Sequence, residues 1–231
     1  MLLYIIRHGD PNYALDCLTE RGKSQARALA GRLAASGLDK IFSSPQGRAR
    51  ETAEPTCKLL NLACGVEDWA AEDLAWRDFS VADAKGNRKW SFLCQNTLLK
   101  EDPLALNGAW HDMSFFNDCR DAKGGYERIA RASDGFMARL GYLRENFIYK
   151  IIEHSEEKVA LFCHGGMGSI LLSHLLGVPP PVFWAGFAIT HTGVTILEFL
   201  NNPDGYTAPR CLAFSDTSHL LKEGLPVEYQ Y

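Results

Sequence analysis

Leu2-Leu3-Tyr4-Ile5-Ile6-Arg7-His8-Gly9 opens the chain, and its reading decides the fold. A short apolar run with β-branched residues that stops at a cation, an imidazole and a glycine has the pattern of a buried parallel strand. The carboxyl end of such a strand is where an open α/β sheet binds ligands. Histidine can act there as nucleophile or acid/base near neutral pH. Arginine supplies a planar fork for phosphate oxygens. Glycine allows a sharp turn and leaves room for a substrate.

Two further stretches repeat the pattern. Ile41-Phe42-Ser43-Ser44-Pro45 reads as a strand leaving its sheet, followed by Gln46-Gly47-Arg48-Ala49-Arg50-Glu51-Thr52 at a helix start. Pro45 suits a first helical turn, and such a start offers free N–H groups to an anion. Val159-Ala160-Leu161-Phe162-Cys163 reads as another buried strand and ends in His164-Gly165-Gly166. Two histidines and two arginines therefore stand at the carboxyl ends of strands that can lie side by side.

These segments resemble the histidine phosphatase superfamily, the phosphoglycerate-mutase-like branch that carries an Arg-His-Gly motif. The likeness runs collinearly through Arg7-His8-Gly9, Leu18-Thr19-Glu20-Arg21-Gly22 with Gln25-Ala26, Ser43-Ser44-Pro45 with Arg48-Ala49-Arg50-Glu51-Thr52-Ala53, His164-Gly165-Gly166 and Asp216-Thr217-Ser218-His219-Leu220. The resemblance implies an α/β fold, a three-layer α/β/α sandwich with a mostly parallel central sheet. It implies that His8 is the nucleophile, passing through phosphohistidine, and that Arg7, Arg48 and His164 hold the phosphoryl oxygens. Phosphoryl transfer depends on positioning and charge stabilisation, which two arginines and two imidazoles supply without a metal ion. No metal or other cofactor is expected. The implied substrate is a small phosphomonoester.

One position departs from the family. Relatives carry a general-acid glutamate in a stretch like Leu-x-Glu-x-Asp-Phe-Gly. An ungapped reading of Leu74-Ala75-Trp76-Arg77-Asp78-Phe79-Ser80 puts Trp76 there, and an indole cannot serve as the acid. The sequence leaves several substitutes open: Asp78, which is preferred, then Glu72 or Asp73, or Asp112, Asp118, Asp121 or Glu127 from further along. General-acid help is typically worth about 10²–10⁴-fold. Two other readings therefore stay open beside a phosphomonoesterase: a mutase-type phosphotransferase, and a weakly active protein that binds phosphate esters.

Bulk properties are consistent. The 231 residues carry 46% hydrophobic side chains, ample for a buried core, and read as a single domain over 1–231. A net charge of −4 with no long basic run gives no reason to expect nucleic acid, and no such partner is expected. No stretch approaches a membrane span, and Met1-Leu2-Leu3 lacks the basic start of a signal peptide. Seven scattered cysteines without a C-x-x-C pair suggest reduced thiols in the cytoplasm. A homodimer is left open.

Thr19 is expected to cap a helix closed by Gly37, and helical spacing continues through Arg48–Leu62. A long helix is expected from Tyr126 to about Phe147, with Leu143 and Phe147 inward. Another should run from Gly168 to Leu176, stopped by Gly177 and Pro179-Pro180-Pro181. Val194–Phe199 and Arg210–Phe214 read as late strands. The stretch 81–125 breaks the regularity yet carries Trp90, Phe92, Trp110, Phe115 and Phe116. It is read as a divergent insertion, either a lid over the site or a flap whose aromatics bury against the core. Asp10 and Asn12 follow the nucleophile; Asn12 is the better phosphate contact, although turn formation around Pro11 explains both nearly as well. His191 and His219 read as structural. Gly165-Gly166-Met167-Gly168 lacks the G-x-G-x-x-G spacing of a dinucleotide loop.

Overall fold

The computed structural model describes residues 1–100 and 108–229. Its centre is a six-stranded sheet in the order Arg210–Asp216, Val194–Glu198, Leu2–Arg7, Lys158–Cys163, Lys40–Ser43, Cys64–Val66. The last four run parallel to one another, and the first two form an antiparallel edge beside Leu2–Arg7. The chain's opening strand therefore lies inside the sheet, where the strand direction changes. Open α/β sheets bind ligands beyond the carboxyl ends of their parallel strands, which is where His8 stands.

Alternation along Leu2–Arg7 divides the core in two. Leu3 and Ile5 join one cluster with Val159, Leu161, Phe79, Met167 and Ile170. Tyr4 and Ile6 face the other way, onto Leu29, Leu33, Ala53 and Phe162. Helices thus cover both faces, giving the expected three-layer sandwich. Glu20–Ser36 and Gly47–Leu60 lie on one side; Glu72–Phe79, Ala122–Arg139, Gly165–Leu176 and Pro180–Gly186 lie on the other. Each fully buried aliphatic side chain of the opening strand contributes roughly 1.5–3 kcal/mol relative to exposure, which fixes the position of His8 at its end.

The first helix follows its sequence signals: the Thr19 hydroxyl accepts from the Gly22 amide, and Gly37 closes the helix at φ +70°. The expected helix from Tyr126 to Phe147 is corrected. It begins earlier, where the Asp121 side chain caps the Gly124 amide, and ends at Arg139. Gly141 at φ +94° turns the chain, and a hairpin pairs Tyr142–Glu145 with Ile148–Ile151 around Asn146 at φ +57°. Leu143 and Phe147 are exposed on it rather than buried. The Gly177 stop holds with a left-handed cap, but the helix it ends starts at Gly165, and Pro180 opens a new helix instead of a loop.

The 81–125 stretch contains a Ser80–Ala82/Arg88–Trp90 hairpin, the short Gln95–Lys100 helix and single 3₁₀ turns; residues 101–107 lie outside the described residues. Phe92, Trp110 and Phe116 are buried around Trp184, with ring centroids 4.5, 5.2 and 6.1 Å from it. Trp90 stacks on Phe92 at the edge of this group and reaches the site described next. Among the described residues no helix is long and apolar enough to cross a membrane.

Candidate active site

His8 and His164 end the neighbouring parallel strands Leu2–Arg7 and Lys158–Cys163, and their rings lie 5.2 Å apart, fully buried. The turn after His8 is tight. A Cβ on Gly9 would stand 2.8 Å from the Gly22 carbonyl oxygen, so only glycine fits. The Gly9 amide donates to Thr52 Oγ1 at 3.0 Å, tying this turn to the helix that carries Arg48.

The hydrogen bonds decide the state of His8. Its Nδ1 lies 2.7 Å from the Gly9 carbonyl oxygen, which can only accept, so Nδ1 carries the proton. Nε2 is then left with a lone pair; it is buried and has no hydrogen-bond partner. Burial, then the His164 and Arg7 charges, hold His8 well below histidine's ordinary value, keeping that lone pair available. His164 Nε2 lies 2.8 Å from Ser44 Oγ. With the Ser44 hydroxyl donating, Nδ1 carries the ring proton of His164, and this Nδ1 too has no partner. Burial first, then Arg48 and Arg7, lower His164 well below the usual value as well. Burial pushes the adjacent Cys163 thiol up to about 12, which removes it as a competing nucleophile.

Both arginines are nearly buried. Arg7 donates through Nη1 to the Ile189 carbonyl oxygen at 2.5 Å. Its guanidinium lies over Gly165, where a Cβ would come within 3.1 Å of Nε. Arg48 pairs with Asp16 Oδ1 at 2.5 Å and Glu72 Oε2 at 3.2 Å. Asp16 also accepts from the Gly47 amide at 2.6 Å, so a carboxylate already sits on that helix start.

The expected Asp78 does not reach this cluster. It is 1% exposed, and its oxygens take Arg77 Nε at 2.8 Å and Arg128 Nη1 at 2.7 Å. Glu72, the sequence's second choice, does reach it. Glu72 Oε1 accepts from the Gly166 amide at 2.8 Å, and Oε2 stands 3.7 Å from His164 Nδ1. Potential ligand atoms of His8, Glu72 and His164 all lie within 4.8 Å of one another. The same three groups resemble a metal set in type, but the Arg7 and Arg48 guanidiniums alongside favour an anion there over a cation. Asp73 is turned away, accepting from Gln46 Nε2 at 2.8 Å. Asn12 Oδ1 closes its own turn by accepting from the Ala14 and Leu15 amides at 3.1 and 3.3 Å, and these bonds leave its Nδ2 donors unused. His191, read from sequence as structural, lies 5.6 Å from His8 ring to ring, beside Asp10.

A cavity of about 500 Å³ opens onto Arg48 and Glu72 and is walled by Tyr13, Trp76, Arg88, Lys89, Trp90 and Leu93. A hollow of equal volume on the outer side of the Gly47–Leu60 helix, between Glu51, Cys57 and Cys64, holds none of the four phosphate-site residues. Ser44 and Thr52 lie inside the motif segments without a role of their own there, and Asp16 carries no sequence signal as a supporting group. The ungapped reading ranks Glu72 behind Asp78, because the helix that starts at Glu72 places the carboxyl group four residues before Trp76.

The sequence model of the histidine phosphatase superfamily, branch 1, matches residues 3–87 and 123–207. The chain belongs to that superfamily. It is a phosphohydrolase of the family's histidine type. The adenosylcobalamin/alpha-ribazole phosphatase of Salmonella typhi is 25% identical over 203 residues, covering 80% of this chain and 84% of that protein. A putative phosphoserine phosphatase 2 from Hydrogenobacter thermophilus is 33% identical over 100 residues, 39% of this chain and 46% of its own. Among solved structures, a phosphoserine phosphatase variant from Entamoeba histolytica in complex with phosphoserine superposes with a TM-score of 0.63 at 19% identity, covering 95% of this chain and 98% of that one. These last two values show the fold alone. Residues 88–122 fall between the two matched blocks, and Trp90 with Lys89 belongs to that unmatched part.

Proposed function

We propose that this enzyme is a metal-independent phosphomonoesterase that hydrolyses a small phosphorylated metabolite through phosphohistidine on His8. The observation that carries the reading is the buried, unpartnered Nε2 of His8, held as a lone pair by the Gly9 carbonyl and ringed by Arg7, Arg48 and His164. In the first step Nε2 forms a bond to phosphorus as the bond to the ester oxygen breaks. The two guanidiniums and His164 Nδ1–H stabilise the charge on the non-bridging oxygens. Glu72, in its protonated form, gives its proton to the leaving alcohol. In the second step water attacks phosphorus, Glu72 takes a proton from it, and inorganic phosphate and free His8 are released. Hydrolases with alpha-ribazole phosphate and phosphoserine in their names among the relatives support a small organic phosphate as substrate. All seven cysteines are free thiols, which supports a reducing, cytoplasmic setting.

The test is a panel of phosphorylated metabolites offered to the wild-type protein and to His8→Ala, with released phosphate measured. We expect turnover in the wild type and a fall of about 10⁴-fold or more in the variant. Acid-labile phosphate on the quenched wild-type protein should mark the intermediate. Turnover surviving in His8→Ala, or phosphate passed only to a second organic acceptor, would sink the reading.

A further inference from the structure

The side of the cavity that receives the leaving group is built from aromatic rings, and the covalent geometry of one helix says why that matters. Glu72 and Trp76 stand four residues apart on Glu72–Phe79, which puts them on the same helix face. If Glu72 protonates the departing oxygen, whatever that oxygen carries continues along this face to Trp76. Trp76 keeps 38% of its surface exposed, and its one ring contact among the described residues is the edge-on Trp90 at 5.0 Å. Trp90 is itself fixed. It stacks on Phe92 at 5.2 Å and lies so near the phosphate site that a Cβ on Gly166 would come within 2.5 Å of its ring. Tyr13, also largely exposed, stands on the Arg48 side with the guanidinium 5.3 Å over its ring. Of the charged groups on the same walls, Arg48 is held by Asp16 and Glu72, Arg88 is engaged by Ser80, and Asp73 accepts from Gln46.

We infer that the enzyme selects phosphomonoesters whose alcohol carries a flat aromatic ring, which lies against Trp76 in the corner formed with Trp90. This rests on the phosphomonoesterase reading for its direction, because Glu72 as acid defines which end of the cavity holds the leaving group. Apolar surface left exposed at a single tryptophan is ordinary. An exposed tryptophan one helical turn from the acid, braced by a second in a segment that the family pattern does not cover, is a recognition surface.

The test compares three alkyl phosphates whose alcohols leave with similar ease: propyl, 2-cyclohexylethyl and 2-phenylethyl phosphate. The wild-type kcat/KM should be about tenfold or more higher for 2-phenylethyl than for propyl phosphate. It should exceed the cyclohexyl ester by about threefold to tenfold, the part that flatness adds beyond area. Trp76→Ala should draw the phenyl-to-propyl ratio toward one, while Trp76→Phe keeps most of it. Binding of the same three esters to His8→Ala, measured by calorimetry, should follow the same order. Equal values for phenyl and propyl esters, or a ratio untouched by Trp76→Ala, would overturn the aromatic slot. Absence of turnover for all three, with the binding order intact, would instead remove the hydrolytic reading and leave the slot standing.

Discussion

The phosphate-binding floor and the cavity wall that meets it at Arg48 are made by different means. The floor, Arg7, His8, Arg48 and His164, hangs on strand ends and a helix start that the sheet register brings side by side. Parallel pairing aligns Arg7 with Cys163 and Phe162 with Ser43, so one register brings three motifs together. The wall, from Glu72 to Leu93, takes its position from side chains: Trp90 against Gly166, Asp78 between two arginines, Phe79 5.4 Å from Trp184. A floor built on backbone tolerates little change and accepts one chemical group, phosphate. A wall built on side-chain packing can be re-cut without disturbing the sheet, and it is the part that meets the variable half of a substrate.

The sharpest break between the two is along the Glu72–Phe79 helix, which carries Glu72 and Asp73 in its first turn and Asp78 near its other end. Glu72→Gln keeps the shape and a hydrogen-bonding oxygen for the Gly166 amide but cannot supply a proton. With an alkyl phosphate, kcat should fall by about 10²–10⁴-fold, and much less with an activated aryl ester that needs no protonation. Asp78→Asn under the same assay should leave the contrast between alkyl and aryl esters as it was. Reversed results would return the acid role to Asp78.

The two regions also differ in how far the residues announce them. Leu2–Gly9 and Val159–Gly166 declare themselves, because a buried strand that ends in His-Gly is both a pattern of hydropathy and a chemical signal. The α/β/α layering follows from helices spaced between such strands, and the Thr19 and Gly37 caps follow from local chemistry. Glu72 was recoverable only as one of several carboxyl groups. Which of them reaches His164 depends on where the helix starts, and the ungapped family register points to Trp76 instead. Leu143 and Phe147 keep helical spacing from Phe136, so periodicity carried the expected helix straight through Gly141. The positive φ of Gly141 and Asn146 makes the hairpin, and neither residue outweighs a strong apolar period when read alone. The aromatics of 81–125 divide between Trp184 and the cavity, a partition set wholly by tertiary packing. Asn12 carries both of its readings into the structure, since the turn uses its Oδ1 and a phosphate would take its Nδ2.

Acid should separate the regions next. His8 and His164 are held well below the ordinary histidine value by burial, His191 is lowered to about 3 and His219 to about 4. His219 reaches Thr192, whose amide donates to the Arg7 and His8 carbonyls, so all four belong to the floor and its support, while residues 72–93 contain no histidine. In the unfolded chain these imidazoles take up protons below about 6.5, and in the folded protein they do not. The unfolded state therefore binds more protons, so stability rises with pH. The contribution is fully present above about 6.5 and drains as pH falls from there toward 4. Each histidine can supply at most about 1.4 kcal/mol per pH unit in that window. Thermal unfolding between pH 7 and 4.5 should show Tm dropping steadily, and His219→Gln should flatten the slope without abolishing it. An unchanged slope would mean that His219 titrates alike in both states.

The smallest of these effects tests the wall's own construction. Asp78 is 1% exposed, but its partners Arg77 and Arg128 keep 45% and 36% of their side chains in solvent. Asp78→Asn removes one buried charge and leaves two arginines that can swing outward, so the loss should be nearer about 1–3 kcal/mol than the larger cost of stranding a buried partner. Chemical denaturation measures it, with the slope m expected to stay constant. The consequence for function is indirect. Asp78 packs against Gly125 of the Ala122–Arg139 helix, where a Cβ would come within 2.9 Å of its own, and so holds the Glu72–Phe79 helix in place. Loosening that contact should raise KM for the aromatic ester, because Trp76 shifts, before it lowers kcat, because Glu72 is separately pinned by the Gly166 amide and Arg48. A fall in kcat with KM constant would mean that the helix moves as one rigid piece, and that wall and floor are coupled through Glu72 rather than built apart.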